Sequence, residues 1–127
     1  MVLDFDGLQV EVCHSKLELS IGWDTIDTAA TITGWEWFEL TPQWSHSDER
    51  LARFAGQELR EVALLEWRPA DRDLAAGTVA VEFAFAEGCL RIVNGLDENR
   101  IVQTEVNQLR RPMLFAVLSA LASARGG

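Results

Sequence analysis

There is no tyrosine in this chain, a single lysine, two cysteines, two histidines and three prolines. Each scarcity removes something. Cys13 and Cys89 are too few for a disulfide scaffold. The stretch Met1–Asp6 lacks the basic and long apolar regions of a secretory leader, so two free thiols in a reducing cytoplasm are expected. The soft metal ligands are Cys13, His14, His46 and Cys89, with neither a CxxC nor an HxxxH spacing, so no metal site is expected. No GxSxG, P-loop or GxGxxG occurs, and no cofactor is implied. The longest apolar run, Pro112 to Ala124, falls short of the ~20 residues that a membrane span needs.

Positive charge is scarce as well. Lys16 is the only lysine, and the excess of arginine fits a GC-rich genome. Eleven basic residues face 20 acidic ones, a net charge of −9 over 127 residues. Such a field repels phosphate backbones and anionic membranes and favours a basic protein partner. What is present is ordinary for one globular domain over residues 1–127, with 48% apolar and 24% charged residues.

Period-two alternation predicts mostly strand. Leu8, Val10 and Val12 share one face of a strand, and Leu17, Leu19 and Ile21 share that of a second, with His14-Ser15 as the turn between them. Thr28–Thr33 reads as an edge strand and Trp35–Leu40 as the next, ended by Pro42. Leu59–Trp67, Thr78–Ala86, the segment from Cys89 to Val93 and Ile101–Val106 complete the set. One short helix is predicted from Ser47, its N-cap, to Ala55, with Gly56 beyond its last turn. A C-terminal helix is predicted from Pro112, with Leu114, Val117, Leu118 and Leu121 in one stripe. It is apolar nearly all round and calls for cover from the sheet and from a second subunit, which would make a homodimer. The fold class is therefore α+β: a twisted or partly closed antiparallel sheet of about seven to eight strands packed on a C-terminal helix. Residues 8–26 also align without gaps on 81–99, bringing Gly22 and Asp24 onto Gly95 and Asp97, which suggests a duplicated hairpin.

Five tryptophans, Trp23, Trp35, Trp37, Trp44 and Trp67, are the most unusual feature. Trp35, Trp37 and Trp44 are interleaved with Glu36 and Glu39. An aromatic surface edged with carboxylates suits a cationic partner, so these five residues are the expected binding face. The bland alternative places two of these three tryptophans in the core, Trp44 serving as a hydrophobic staple beside the helix cap. Asp24, Asp27, Asp97 and Glu98 meet only if two turns share one end of the sheet. There they would bind a cation or do acid–base work; otherwise they cap turns through their own side chains.

The leading expectation is a non-enzymatic acidic interaction protein, such as an inhibitor or toxin-neutralising protein, bound to a basic partner. In general look the chain is similar to the small acidic proteins that neutralise bacterial toxins, a likeness that assigns no residue. Two other readings stay open: a β-barrel-like binder of a small ligand, and an enzyme using carboxylates or His46.

Overall fold

Most of the alternating segments are strands. A computed structural model of the chain describes residues 1–32, 43–45, 48–104 and 115–121. Eight strands and one helical turn run in the order β1 (Val2–Phe5), β2 (Leu8–Ser15), β3 (Glu18–Trp23), α1 (Glu49–Ala52), β4 (Glu61–Trp67), β5 (Val79–Phe85), β6 (Gly88–Asn94), β7 (Asn99–Thr104) and β8 (Phe115–Leu121). Every pairing is antiparallel. The strands do not form the single sheet expected from the sequence. They form a three-stranded sheet, β1-β2-β3, and a five-stranded sheet, β7-β6-β5-β4-β8.

Two sheets result because each has an apolar face to bury, and each buries it on the other. Val10 and Val12 of β2 pack with Val81, Phe83 and Phe85 of β5 and with Leu90 and Ile92 of β6. Phe5 stacks on Phe83 at 5.5 Å between ring centroids, and Phe54 stacks on Phe85 at 4.8 Å. Each such pair contributes roughly 0.5–1.5 kcal/mol beyond its buried area. The opposite face of the five-stranded sheet is buried too. Ala63, Leu65 and Ala80 cluster there. Beside them Arg91 donates to Glu82 across the β5–β6 pair at 2.7 Å and 2.5 Å, with side chains only 8% and 12% exposed. Burial on both faces explains the nearly unbroken apolar run Val62-Ala-Leu-Leu65 in β4.

Several expectations are corrected. Phe115–Leu121, within the expected C-terminal helix, is a strand paired with β4. Its apolar residues are nearly consecutive, so they satisfy a helical stripe and a strand equally. The deciding term is non-local, because without β8 the apolar strand β4 would be an open edge. The mid-chain helix is one turn, Glu49–Ala52, capped by Asp48, whose carboxylate accepts from the Arg50 N–H at 3.0 Å. The expected cap, Ser47, lies outside the described residues. Residues 28–32 are turn and loop, not strand. The turn after β2 is Lys16-Leu17, because His14 and Ser15 continue the ladder opposite Leu19 and Glu18. The duplicated-hairpin alignment sets this turn on Cys89-Leu90, inside β6, so it does not carry over to the hairpins. Among the described residues no helix is long and apolar enough to cross a membrane.

An edge strand in an antiparallel pair donates only every second N–H to its neighbour. Hydrogen exchange along Phe115–Leu121 should therefore alternate between slow and fast amides, whereas a helix would show continuous protection.

Candidate functional site

β2 is the central strand of its sheet, and its two ends differ. At the C-terminal end it is fastened to the other layer. His14 is 4% exposed. Its backbone N–H donates to Asn99 Oδ1 at 3.0 Å, and Asn99 Nδ2 donates to the Val12 carbonyl at 2.8 Å, which orients the amide. The imidazole Nδ1 faces the same Oδ1 at 2.8 Å, and Nε2 faces the Val79 carbonyl at 3.0 Å. Both ring nitrogens therefore face an oxygen, one from each of two strands of the other layer. Next to it the Lys16 N–H donates to Asp97 Oδ1 at 2.5 Å, while the Asp97 N–H donates to the Lys16 carbonyl at 3.1 Å. His14 is thus a buried fastener, not the surface imidazole its sequence position suggests.

At the N-terminal end of β2 the Gly-x-Asp motif recurs in the same local role. Asp24, at φ 51°, accepts from the Gln9 N–H at 2.9 Å and donates its own N–H to the Gln9 carbonyl at 3.2 Å. Asp97, at φ 72°, does the same to Lys16. Gln9 and Lys16 stand at opposite ends of β2, roughly 23 Å apart at ~3.3 Å per residue. Asp24 and Asp97 therefore do not converge, and both act as turn caps. Among the described residues no group of three or more His, Cys, Asp and Glu is arranged to hold a metal.

Glu11 was not singled out by the sequence, where it reads as a solvated position between Val10 and Val12. It is 8% exposed. Its carboxylate accepts from the Thr25 N–H at 2.6 Å, the Ile26 N–H at 2.7 Å and the Thr25 hydroxyl. The Thr25 hydroxyl bond, aided by the two backbone donors, holds its pKa below the ordinary 4.5 against the opposing effect of burial. The carboxylate lies over Gly22, its cross-strand partner, where an added Cβ would sit 2.7 Å from Oε2. That glycine was the available signal, because a glycine inside a strand marks close approach.

This anchor holds the chain after β3 against β2, and three large apolar side chains near this end stay exposed. Leu8, Trp23 and Ile26 are 44%, 57% and 37% exposed. Trp23 pairs with Val10, so Leu8 is its diagonal neighbour on the same face, within reach of a large side chain. Asp4, Asp6, Asp24 and Asp27 are exposed at this end. Over residues 1–29 six acids stand against Lys16 alone, so more than half of the net −9 comes from this short segment. The described ion pairs, Arg50–Asp48, Arg68–Glu66 and Arg91–Glu82, all lie later in the chain.

Of the binding face expected from the sequence, Trp35, Glu36, Trp37 and Glu39 lie outside the described residues. Trp44 is half-buried, and its buried indole N–H has no hydrogen-bond partner among the described residues. His46 is also outside them. Trp67 donates its indole N–H to Asp73 at 2.8 Å, which ties down the loop that follows β4.

The thiols differ. Cys13 is exposed, whereas Cys89 is buried. Burial, then the negative charge of Glu82, pushes Cys89 up to about 11. In the native protein a thiol-alkylating reagent should modify Cys13 within minutes and leave Cys89 unmodified until the chain unfolds, as read by peptide mass.

Glu11 sets a pH dependence. Its folded pKa is depressed, so its contribution is fully present above the ordinary 4.5 and is lost as pH falls through the lower folded value. Glu11→Gln should melt below the parent at neutral pH. The gap should narrow steadily once the pH drops under 4.5, followed by thermal melts across the acid range.

No protein-family model matches the chain, and neither a curated protein nor a solved structure matches it.

Proposed function

We propose that this chain is a non-enzymatic acidic interaction protein that occupies the surface of a basic partner, in the manner of an inhibitor or toxin-neutralising protein. The observation that carries the reading is charge segregation. The three-stranded sheet and the residues following it hold Asp4, Asp6, Glu18, Asp24 and Asp27 at exposed positions, with Lys16 the only base there. A layer of one sign, fixed on a rigid core, steers an oppositely charged partner and fixes its orientation. The groups that sequence reading offered for chemistry have structural work instead where they are described: His14 bridges the sheets, Cys89 is buried, and Asp24 and Asp97 cap turns. The free thiols Cys13 and Cys89 suit a cytoplasmic setting.

The test is affinity purification with the full chain at about 0.05 M and about 0.3 M salt, between which screening of exposed charges more than doubles. A discrete, stoichiometric partner of high isoelectric point, released by the higher salt, is expected. A neutral or acidic partner retained at the higher salt contradicts the reading.

A further inference from the structure

We infer that the outer edge of β3 is a docking site that takes an extended segment of another protein as a fourth strand of the three-stranded sheet. This rests on the interaction reading above and adds the site and the mode of binding. The phase of the ladder is fixed from both sides of β2. The Val12 N–H donates to the Met1 carbonyl at 2.9 Å, and the Asp24 N–H donates to the Gln9 carbonyl at 3.2 Å. Backbone groups point to alternate sides along a strand, so Val10 and Val12 bond toward β1, and Gln9, Glu11 and Cys13 toward β3. The N–H and C=O groups of Leu19, Ile21 and Trp23 therefore point away from β2, and none of them bonds to a described residue. The chain after β3 does not run along this edge. It turns at Asp24, and Thr25 and Ile26 are held by Glu11, whose carboxylate lies over Gly22 on the face of the sheet.

Unpaired groups that recur about every 7 Å fit an extended chain. β3 also lacks the devices that usually close such an edge. Glu18–Trp23 keeps an unbroken register with β2 and contains no proline, lysine or bulge. By contrast, β1 is four residues long and carries the exposed Asp4, and at β7 the Gln103 side chain donates to the Arg50 carbonyl at 2.5 Å, which sets α1 beside that strand. Every second side chain of an added strand would lie beside Leu19, Ile21 and Trp23, on the face that enters the core, and would cover Trp23, which is 57% exposed. That set is therefore apolar. A second copy of this chain is a poor occupant. Paired antiparallel about Ile21, two copies would set Glu18 opposite Asp24 of the second copy at both ends, and like charges directly opposite destabilise a sheet. The same two carboxylates favour a segment with a basic residue at each end. The occupant is thus a strand of a second protein, apolar at alternate positions and basic at its ends.

The test is a titration of the ¹⁵N-labelled full chain with the capped peptide Arg-Val-Thr-Val-Thr-Val-Arg up to millimolar concentration, followed by NMR and hydrogen exchange. A second peptide is N-methylated at its five interior residues and so loses their ladder donors. The expected result is saturable shifts at the Leu19, Ile21 and Trp23 amides with the first peptide and none with the second. Exchange at those three amides should slow about tenfold when free peptide stands about tenfold above its Kd, while Ser20 and Gly22, already bonded to β2, hardly change. A third peptide, ending in glutamate instead of arginine, should bind roughly fivefold more weakly. Equal binding of the third peptide overturns the basic ends. Shifts centred elsewhere, equal binding of the methylated peptide, or no saturable shift at millimolar peptide overturns this site, while the acidic-interaction reading stands or falls by the salt-dependent purification. Shifts at the same three amides that grow with protein concentration alone would show a second copy on the edge and overturn the choice of occupant.

Discussion

The contact between His14 and Asn99 is the constraint on which the two-layer arrangement depends. Apolar packing between the sheets is non-directional and would tolerate sliding. The amide of Asn99 engages the backbone of β2 at Val12 and His14, and the imidazole reaches the backbone of β5 at Val79. One side chain from each layer therefore fixes the register between them. The paired backbone bonds of Lys16 and Asp97 extend the same junction by one turn. With the C-terminal end of β2 so fixed, the sheet β1-β2-β3 lies over Val81, Phe83 and Ile92 in one position, with Trp23 exposed at its far end.

The two layers divide the physical work. The five-stranded sheet is buried on both faces along β4, β5 and β6, and the deep ion pair Arg91–Glu82 is matched across neighbouring strands. Breaking such a pair from one side typically costs ~3–5 kcal/mol, so these two charges belong to the fold and not to any partner. The three-stranded sheet buries one face. Of the carboxylates on its strands and turns, Glu11 is consumed in holding the segment after β3, and the rest are in solvent. The acids themselves are spread along the chain, but residues 1–29, which hold this sheet, carry six of them against Lys16 and so a net −5 of the −9.

How far the sequence could be read follows from which interactions are local. The β5–β6 hairpin was legible because Val79, Val81, Phe83 and Phe85 alternate without interruption and a turn follows. The Gly-x-Asp pairs were legible as turn caps because an aspartate in a turn bonds to nearby backbone. Their separation was not, since it depends on which end of β2 each turn meets. The strand at Phe115–Leu121 was read as helix because its apolar residues fit both periods, and the edge of β4 that it pairs lies about 50 residues away in sequence. Glu11 is hidden in the sequence for the same kind of reason: Thr25 and Ile26, which bond its carboxylate, arrive only after a hairpin has formed. Trp23 stands alone in the sequence, whereas Trp35, Trp37 and Trp44 are close together. Only the register with Val10 shows Leu8 beside it.

The measurement that bears most directly on the junction between layers is a double-mutant cycle of His14→Ala and Asn99→Ala, read by urea unfolding of the full chain. If the two side chains form one bridge, their losses are strongly non-additive. The coupling should be about 1–3 kcal/mol, with the double variant scarcely less stable than the worse single one. Losses that add, with coupling near zero, would show that the layers are held by apolar packing alone and would contradict the role given to His14.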